Sequence, residues 1–149
     1  MFESAPDANV QQAVPFFMVS DIEKSVGYYV DQLGFTMKLN WAPNGKLQWC
    51  WLQHGSAVLM LQEYRKEEPG AFKPQGKLGE GVSICFICHD ALAIYRDVKA
   101  RGANPSRPFV GNNMWVTSLT DPDGYRIDFE SVTDAPEESV YSEDESSSV

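Results

Sequence analysis

Apolar and polar residues alternate with a period of two along several short stretches of this chain, and two stretches between them carry the 3.6-residue period of a helix. Val14–Ser20 reads as a first strand. Asp21 follows as a helix N-cap, without the full capping box because Lys24 stands where Glu is preferred. Ile22, Val26, Tyr29 and Leu33 then recur at near-helical spacing to about Gln32, and Gly34 stops the helix. Phe35–Trp41 and Lys46–Gln53 are the next strands, joined through Pro43-Asn44-Gly45, where Asn-Gly is a strong hairpin signal. His54-Gly55 turns the chain into a further strand, Ser56–Glu63.

Past Tyr64 the alternation is lost, and the Pro-, Gly- and Lys-rich residues 65–81 read as a linker. The plan then repeats: a strand at Val82–Cys88, a helix capped by Asp90 and ended by Gly102, and strands near Pro105–Val110, at Met114–Thr120 and at Tyr125–Ser131. The last two are joined by Asp121-Pro122-Asp123-Gly124, with proline and glycine at positions that suit a tight turn. The expected fold is α+β, two βαβββ modules forming a cleft. Module 1 spans about 13–64 and module 2 about 82–131 of one domain, 13–131, after a polar lead-in, 1–12, and before an acidic disordered tail, 132–149.

Composition alters this picture in three places. The 149-residue chain is 43% apolar, enough for a globular interior. It shows no long apolar run and no signal-like start, so a cytoplasmic protein without a membrane partner is expected. A net charge of −9 argues against nucleic acid as a partner, but six acids fall in the last sixteen residues, leaving the body at about −3. Cys85-Phe86-Ile87-Cys88 has the spacing of redox and zinc sites. On a strand, however, residues three apart point to opposite faces, so Cys85 and Cys88 are expected to be ordinary buried thiols.

The turn-and-strand Leu119–Ser131, together with Val19–Ser25, Tyr28-Tyr29 and Leu33-Gly34-Phe35, resembles the vicinal-oxygen-chelate superfamily of glyoxalases, bleomycin-resistance proteins and extradiol dioxygenases, over about Val14 to Ser131. In the metal-using members of such a family the ligands stand on the first and last strands of each module, which the resemblance carries onto Val14, Met60, Ser83 and Asp128. Only Asp128 suits a hard metal. The resemblance therefore implies the metal-free bleomycin-resistance branch, with no cofactor, no catalytic residue and a small-molecule ligand such as a glycopeptide antibiotic or another planar compound, a role in antibiotic resistance. His54, at a hairpin tip, and His89, at a strand-to-helix corner, read as surface residues.

Period-2 counting from the positions that the resemblance supplies places Val14, Phe16, Met18, Val58, Met60 and Gln62 on the cleft face. If His54-Gly55 is the two-residue turn, Trp51 pairs with Val58 and Trp49 with Met60 on that same face. Ser83, Cys85, Ile87, Arg126, Asp128 and Glu130 would form a second wall, with Trp115 beside them. The candidate ligand contacts are thus Phe16, Trp49, Trp51, Met60, Trp115, Arg126, Asp128 and Glu130. The tryptophans equally suit a packed core or a homodimer interface. A metalloenzyme with an atypical site and a non-catalytic interaction protein remain the other two readings.

Overall fold

The computed structural model describes residues 8–65, 69–71 and 74–143. Within them the first module holds strands β1 (Phe16–Val19), β2 (Thr36–Trp41), β3 (Trp49–His54) and β4 (Ala57–Glu63), and the second holds β5 (Ser83–Ile87), β6 (Phe109–Gly111), β7 (Met114–Thr120) and β8 (Arg126–Val132). They form two four-stranded sheets in the equivalent orders β1-β4-β3-β2 and β5-β8-β7-β6. In each sheet the first strand runs parallel to the fourth and the remaining pairs are antiparallel. This is the α+β arrangement that the alternation and its repeat predict.

Each first strand leads into a capped helix. Helix α1 (Ile22–Val26) starts where the Asp21 side chain accepts from the Lys24 N–H, and it continues as a π-helical turn over Gly27–Gln32. Helix α2 (Ala91–Ala100) starts where Asp90 accepts from Leu92 and Ala93. Two polar groups also fix α2 to its sheet: Ser131 Oγ accepts from Ala91 N–H at 2.8 Å, and Thr117 Oγ donates to the Ala91 carbonyl at 2.8 Å. Both pairs are buried, where an unmade hydrogen bond would be costly.

One core serves both modules. Phe17, Val19, Tyr29, Leu33, Phe35, Cys50, Leu52, Leu59 and Leu61 from the first join Leu119, Tyr125, Ile127 and Phe129 from the second. Phe17 stacks flat on Tyr125 at 3.9 Å, and Phe35 meets Phe86 at 5.7 Å. Polar bonds cross the same seam. Tyr29 donates its hydroxyl hydrogen to Asp121 at 2.6 Å, Tyr125 donates to the Met18 carbonyl at 2.8 Å, and Asp123 accepts from both the N–H and the hydroxyl of Ser20.

This seam makes stability sensitive to alkali. Burial, followed by the charge of Asp121 and the hydrogen bond to it, raises the Tyr29 hydroxyl far above its ordinary value of 10.0. Burial and Asp121 also raise Tyr28 and Tyr125. Above that ordinary value the unfolded chain loses tyrosine protons that the folded chain keeps, so stability falls as pH rises. The urea midpoint is expected to decline from about pH 10 upward in step with tyrosinate absorbance. Tyrosinate that appears in the folded protein with no fall in the midpoint would contradict this.

The structure adds contacts in the stretches read as linker and tail. Within the linker, residues 66–68 and 72–73 lie outside the described residues, but Leu78 packs on the core and Gly79 is buried against the last turn, its N–H donating to the Asp123 carbonyl at 3.2 Å. The tail docks beside β6 as far as the described residues reach: Val140 bridges Phe109 antiparallel, and backbone bonds join Val110 to Glu138 and Ser139 and Pro108 to Tyr141. The Tyr141 ring meets Tyr95 and Trp115 edge-on, and Glu137 accepts from the N–H groups of Asn112 and Asn113. Residues 1–7 and 144–149 are also outside the described residues.

Candidate functional site

The shared core takes one face of each sheet, and the opposite faces are only partly covered. On the first sheet that face is built in rows, since residues paired across strands stand side by side. Leu39 pairs with Trp51, Trp51 with Met60 and Met60 with Phe16; beside them, Trp41 pairs with Trp49, Trp49 with Gln62 and Gln62 with Met18. Phe16 remains 49% exposed, Leu39 57% and Trp41 48%, a concentration of apolar area that a soluble surface rarely shows without use.

The structure thus brings Phe16, Trp49, Trp51 and Met60 together, in a register two residues from the expected one. The hairpin turns at Gly55-Ser56, with His54 opposite Ala57, so Trp51 stands opposite Met60 rather than Val58, and Trp49 opposite Gln62. An even shift preserves the face. Simple alternation from Met37 would put Leu39 under the helix with it. The register slips at Lys38, between Met37 and Leu39, and this bulge turns Leu39 and Trp41 outward. Uniform alternation of Met37, Leu39 and Trp41 conceals such a bulge, so neither residue is legible as outward-facing from sequence. The Trp41 indole at an edge strand was the sole hint.

The matching face of the second sheet is polar at its centre. Ser118, Asp128 and Cys85 form one row, with Arg126 and Glu130 on either side of Asp128. Ser118 donates to Asp128 Oδ1 at 2.6 Å, and Arg126 Nε donates to the same oxygen at 3.0 Å, while its Nη2 donates to Ser118 Oγ at 3.2 Å. Asp128 is buried and paired with half-exposed Arg126, while Glu130 accepts from Cys85 instead. Cys85 is exposed rather than buried, and its thiol donates to Glu130 Oε2. Withdrawal of the sulfur from water, then the bond to and charge of Glu130, push that thiol up to about 12, so it stays protonated at neutral pH. Apolar side chains flank the polar row: Ile87, Val116, Phe109 and Val140 line up through Glu130.

Trp115 does not join this wall. It pairs with Ser131 and Val110 and its ring meets Tyr141 on the helix-bearing face. The four positions aligned with metal ligands are not matched neighbours either. Val14 precedes β1, Met60 stands beside Phe16, Ser83 beside Arg126, and Asp128 beside Cys85. Among the described residues no group of three His, Cys, Asp or Glu side chains is placed to hold a metal ion. His54 packs edge-on against Phe35. A separate cavity of about 310 Å³ at the start of α1 is lined by Ser20, Asp21, Glu23, Lys46 and Glu63, where Glu63 already accepts from Ile22 and Lys46. Among the described residues no helix is long and apolar enough to cross a membrane.

Comparison with known proteins agrees with this architecture. The sequence profile of the glyoxalase/bleomycin resistance protein/dioxygenase superfamily matches residues 11–129. No curated protein matches in sequence. Among solved structures, the chain is similar to TioX from Micromonospora sp. ML1, at 18% identity and a TM-score of 0.65 over 83% of this chain and 99% of that one. It is similar also to a glyoxalase-related enzyme from Clostridium phytofermentans, at 16% identity and a TM-score of 0.65 over 86% and 99%. TnmS3, an antibiotic binding protein from Streptomyces sp. CB03234, gives 21% identity and a TM-score of 0.61 over 82% and 97%. At these identities the likeness is one of fold.

Proposed function

Since the chain belongs to the glyoxalase/bleomycin resistance protein/dioxygenase superfamily, whose shared fold serves both metalloenzymes and binding proteins, we propose that it is a metal-independent binding protein of the bleomycin-resistance type, sequestering a planar or amphipathic small molecule. The observation that carries this reading is the outward aromatic face of the first sheet, where Trp49 and Trp51 stand in rows with Phe16 and Met60. Flat rings stack on indole, and a cationic ring gains about 0.5–2 kcal/mol more from the π-face. Asp128 and Glu130 supply negative charge for such a ligand, and Arg126 holds Asp128 in place. The antibiotic-binding neighbour TnmS3 supports an antibiotic as the ligand class.

A homodimer fits the same reading, because pairing would cover exposed Phe16 and Ile87 and bring an aromatic face near a polar one. Anisotropy of a fluorescent planar cation tests the binding. The wild type should bind saturably, and Trp51→Ala should weaken binding by roughly tenfold, about 1.4 kcal/mol, while light scattering reports two chains per particle. Retained affinity with a lowered melting temperature would make Trp51 a packing residue, and a monomer at high micromolar concentration would remove the dimer.

A further inference from the structure

The tail extends the second sheet past its edge strand. Val110 N–H donates to the Ser139 carbonyl at 2.9 Å, Glu138 N–H to the Val110 carbonyl at 3.0 Å and Tyr141 N–H to the Pro108 carbonyl at 2.9 Å, around the Phe109–Val140 bridge. The equivalent edge of the first sheet, β2, has no bridged segment of this kind among the described residues. A bare edge strand presents free N–H and C=O groups to other chains, so the cover has a physical use. It is held mostly by contacts that lie in water. Val140 is exposed, the Lys99–Glu143 pair is half exposed on both sides, and so are the bonds from Arg96 to the Tyr141 hydroxyl and from the Asn112 and Asn113 N–H groups to Glu137. Exposed pairs of this kind contribute little. The Tyr141 ring, edge-on to Tyr95 and Trp115, is the apolar anchor.

The turn that delivers this segment to β6 is strained. It is closed by Ser139 N–H on the Pro136 carbonyl at 3.1 Å, and Glu138 inside it has a φ of 67°. Among the described residues the other non-glycine positions at positive φ are Asn44, Asn112 and Asn113, a residue type that tolerates the left-handed region, whereas glutamate enters it at a cost. We propose that residues 137–143 are a strap that opens from β6 and recloses while both modules stay folded, with Glu138 as its strained hinge. Closed, the strap seals the β6 edge and sets Val140 beside Phe109. Open, it frees the N–H and C=O of Val110 and the carbonyl of Pro108. Few buried apolar contacts are undone in that step, which puts the strap at the low end of local stability.

Residue-resolved amide hydrogen exchange of the full chain tests this. The Val110 amide, bonded to Ser139, reports the strap, and the Phe35 amide, bonded to the Tyr29 carbonyl at 2.9 Å within the shared core, reports global opening. In the wild type Val110 should exchange at least about 100-fold faster than Phe35. Tyr141→Ala should speed Val110 on the order of tenfold and leave Phe35 unchanged. Glu138→Gly, which relieves the positive φ, should slow Val110 about threefold, and Glu138→Gln, which removes only the charge, should not. Val110 and Phe35 exchanging at one rate in the wild type would mean that the strap opens only when the whole chain unfolds. Equal Val110 rates in Glu138→Gly and Glu138→Gln would mean that the turn stores no strain. Either result overturns the proposal, as does a Tyr141→Ala protein in which both amides speed up alike.

Discussion

Replacing Asp121 by alanine should cost about 3–5 kcal/mol, among the largest effects of any single substitution in this chain. The carboxylate is 4% exposed and has three donors: the Tyr29 hydroxyl at 2.6 Å on Oδ2, and the N–H groups of Asp123 and Tyr125, each at 2.9 Å, on Oδ1. It therefore ties α1's continuation to the turn between β7 and β8, and through that turn ties the two modules together. Alanine would leave a buried tyrosine donor unpaired and two turn N–H groups without their acceptor. Asparagine makes the decisive comparison. Its carbonyl can accept from both N–H groups, but its amide faces the Tyr29 hydroxyl as a donor and leaves that hydrogen without an acceptor, while it removes a charge whose burial raises the Asp121 pKa. Urea denaturation should show Asp121→Ala far less stable and Asp121→Asn between it and the wild type. Equal losses for the two would mean that the charge, not the hydrogen-bond geometry, holds the seam.

Gly79→Ala should be similarly severe, on the order of 3 kcal/mol or more. A Cβ at this position would overlap the backbone of Gly124 and the nitrogen of Tyr125, and backbone atoms cannot swing aside as a flexible side chain would. The same turn holds Asp123, which binds Ser20, and Asp121, which binds Tyr29, so displacing it loosens both modules at once. Gly76→Ala is the control, since nothing lies within 4 Å of its added Cβ. A stable Gly79→Ala protein with an unshifted urea midpoint would show that the linker does not press on the turn.

The strands, both N-caps and the repeat of the plan were legible because period and capping chemistry are local. Asp21 and Asp90 each sit where a strand gives way to helical spacing, and each caps as its sequence position predicts. What the sequence concealed depends on contacts between distant residues. The bulge at Lys38 leaves the apolar alternation of β2 intact and changes only which face Leu39 and Trp41 take. Trp115 is apolar, next to apolar Val116, so parity on β7 is ambiguous until Ser131 and Thr117 are seen to anchor α2 on the same side as Trp115. The tail looked too acidic to pack, yet its charges meet local partners: Glu137 meets the N–H groups of the β6–β7 turn and Glu143 meets Lys99, while Tyr141 supplies the apolar contact. Average composition hides such pairings. Gly79 is a further case, because its close approach to Gly124 joins residues far apart in the sequence.

The central claim is that the outward aromatic face binds a planar ligand without a metal, and calorimetric titration of metal-depleted protein tests it most directly. Protein stripped with chelator, and verified by elemental analysis, would be titrated with a planar cationic acridine dye before and after addition of zinc, manganese or ferrous iron. The account predicts one saturable binding event whose affinity is the same in every case and falls roughly tenfold in Trp51→Ala. Binding that appears only when about one metal ion per chain is restored, and that disappears in Asp128→Ala, would contradict it.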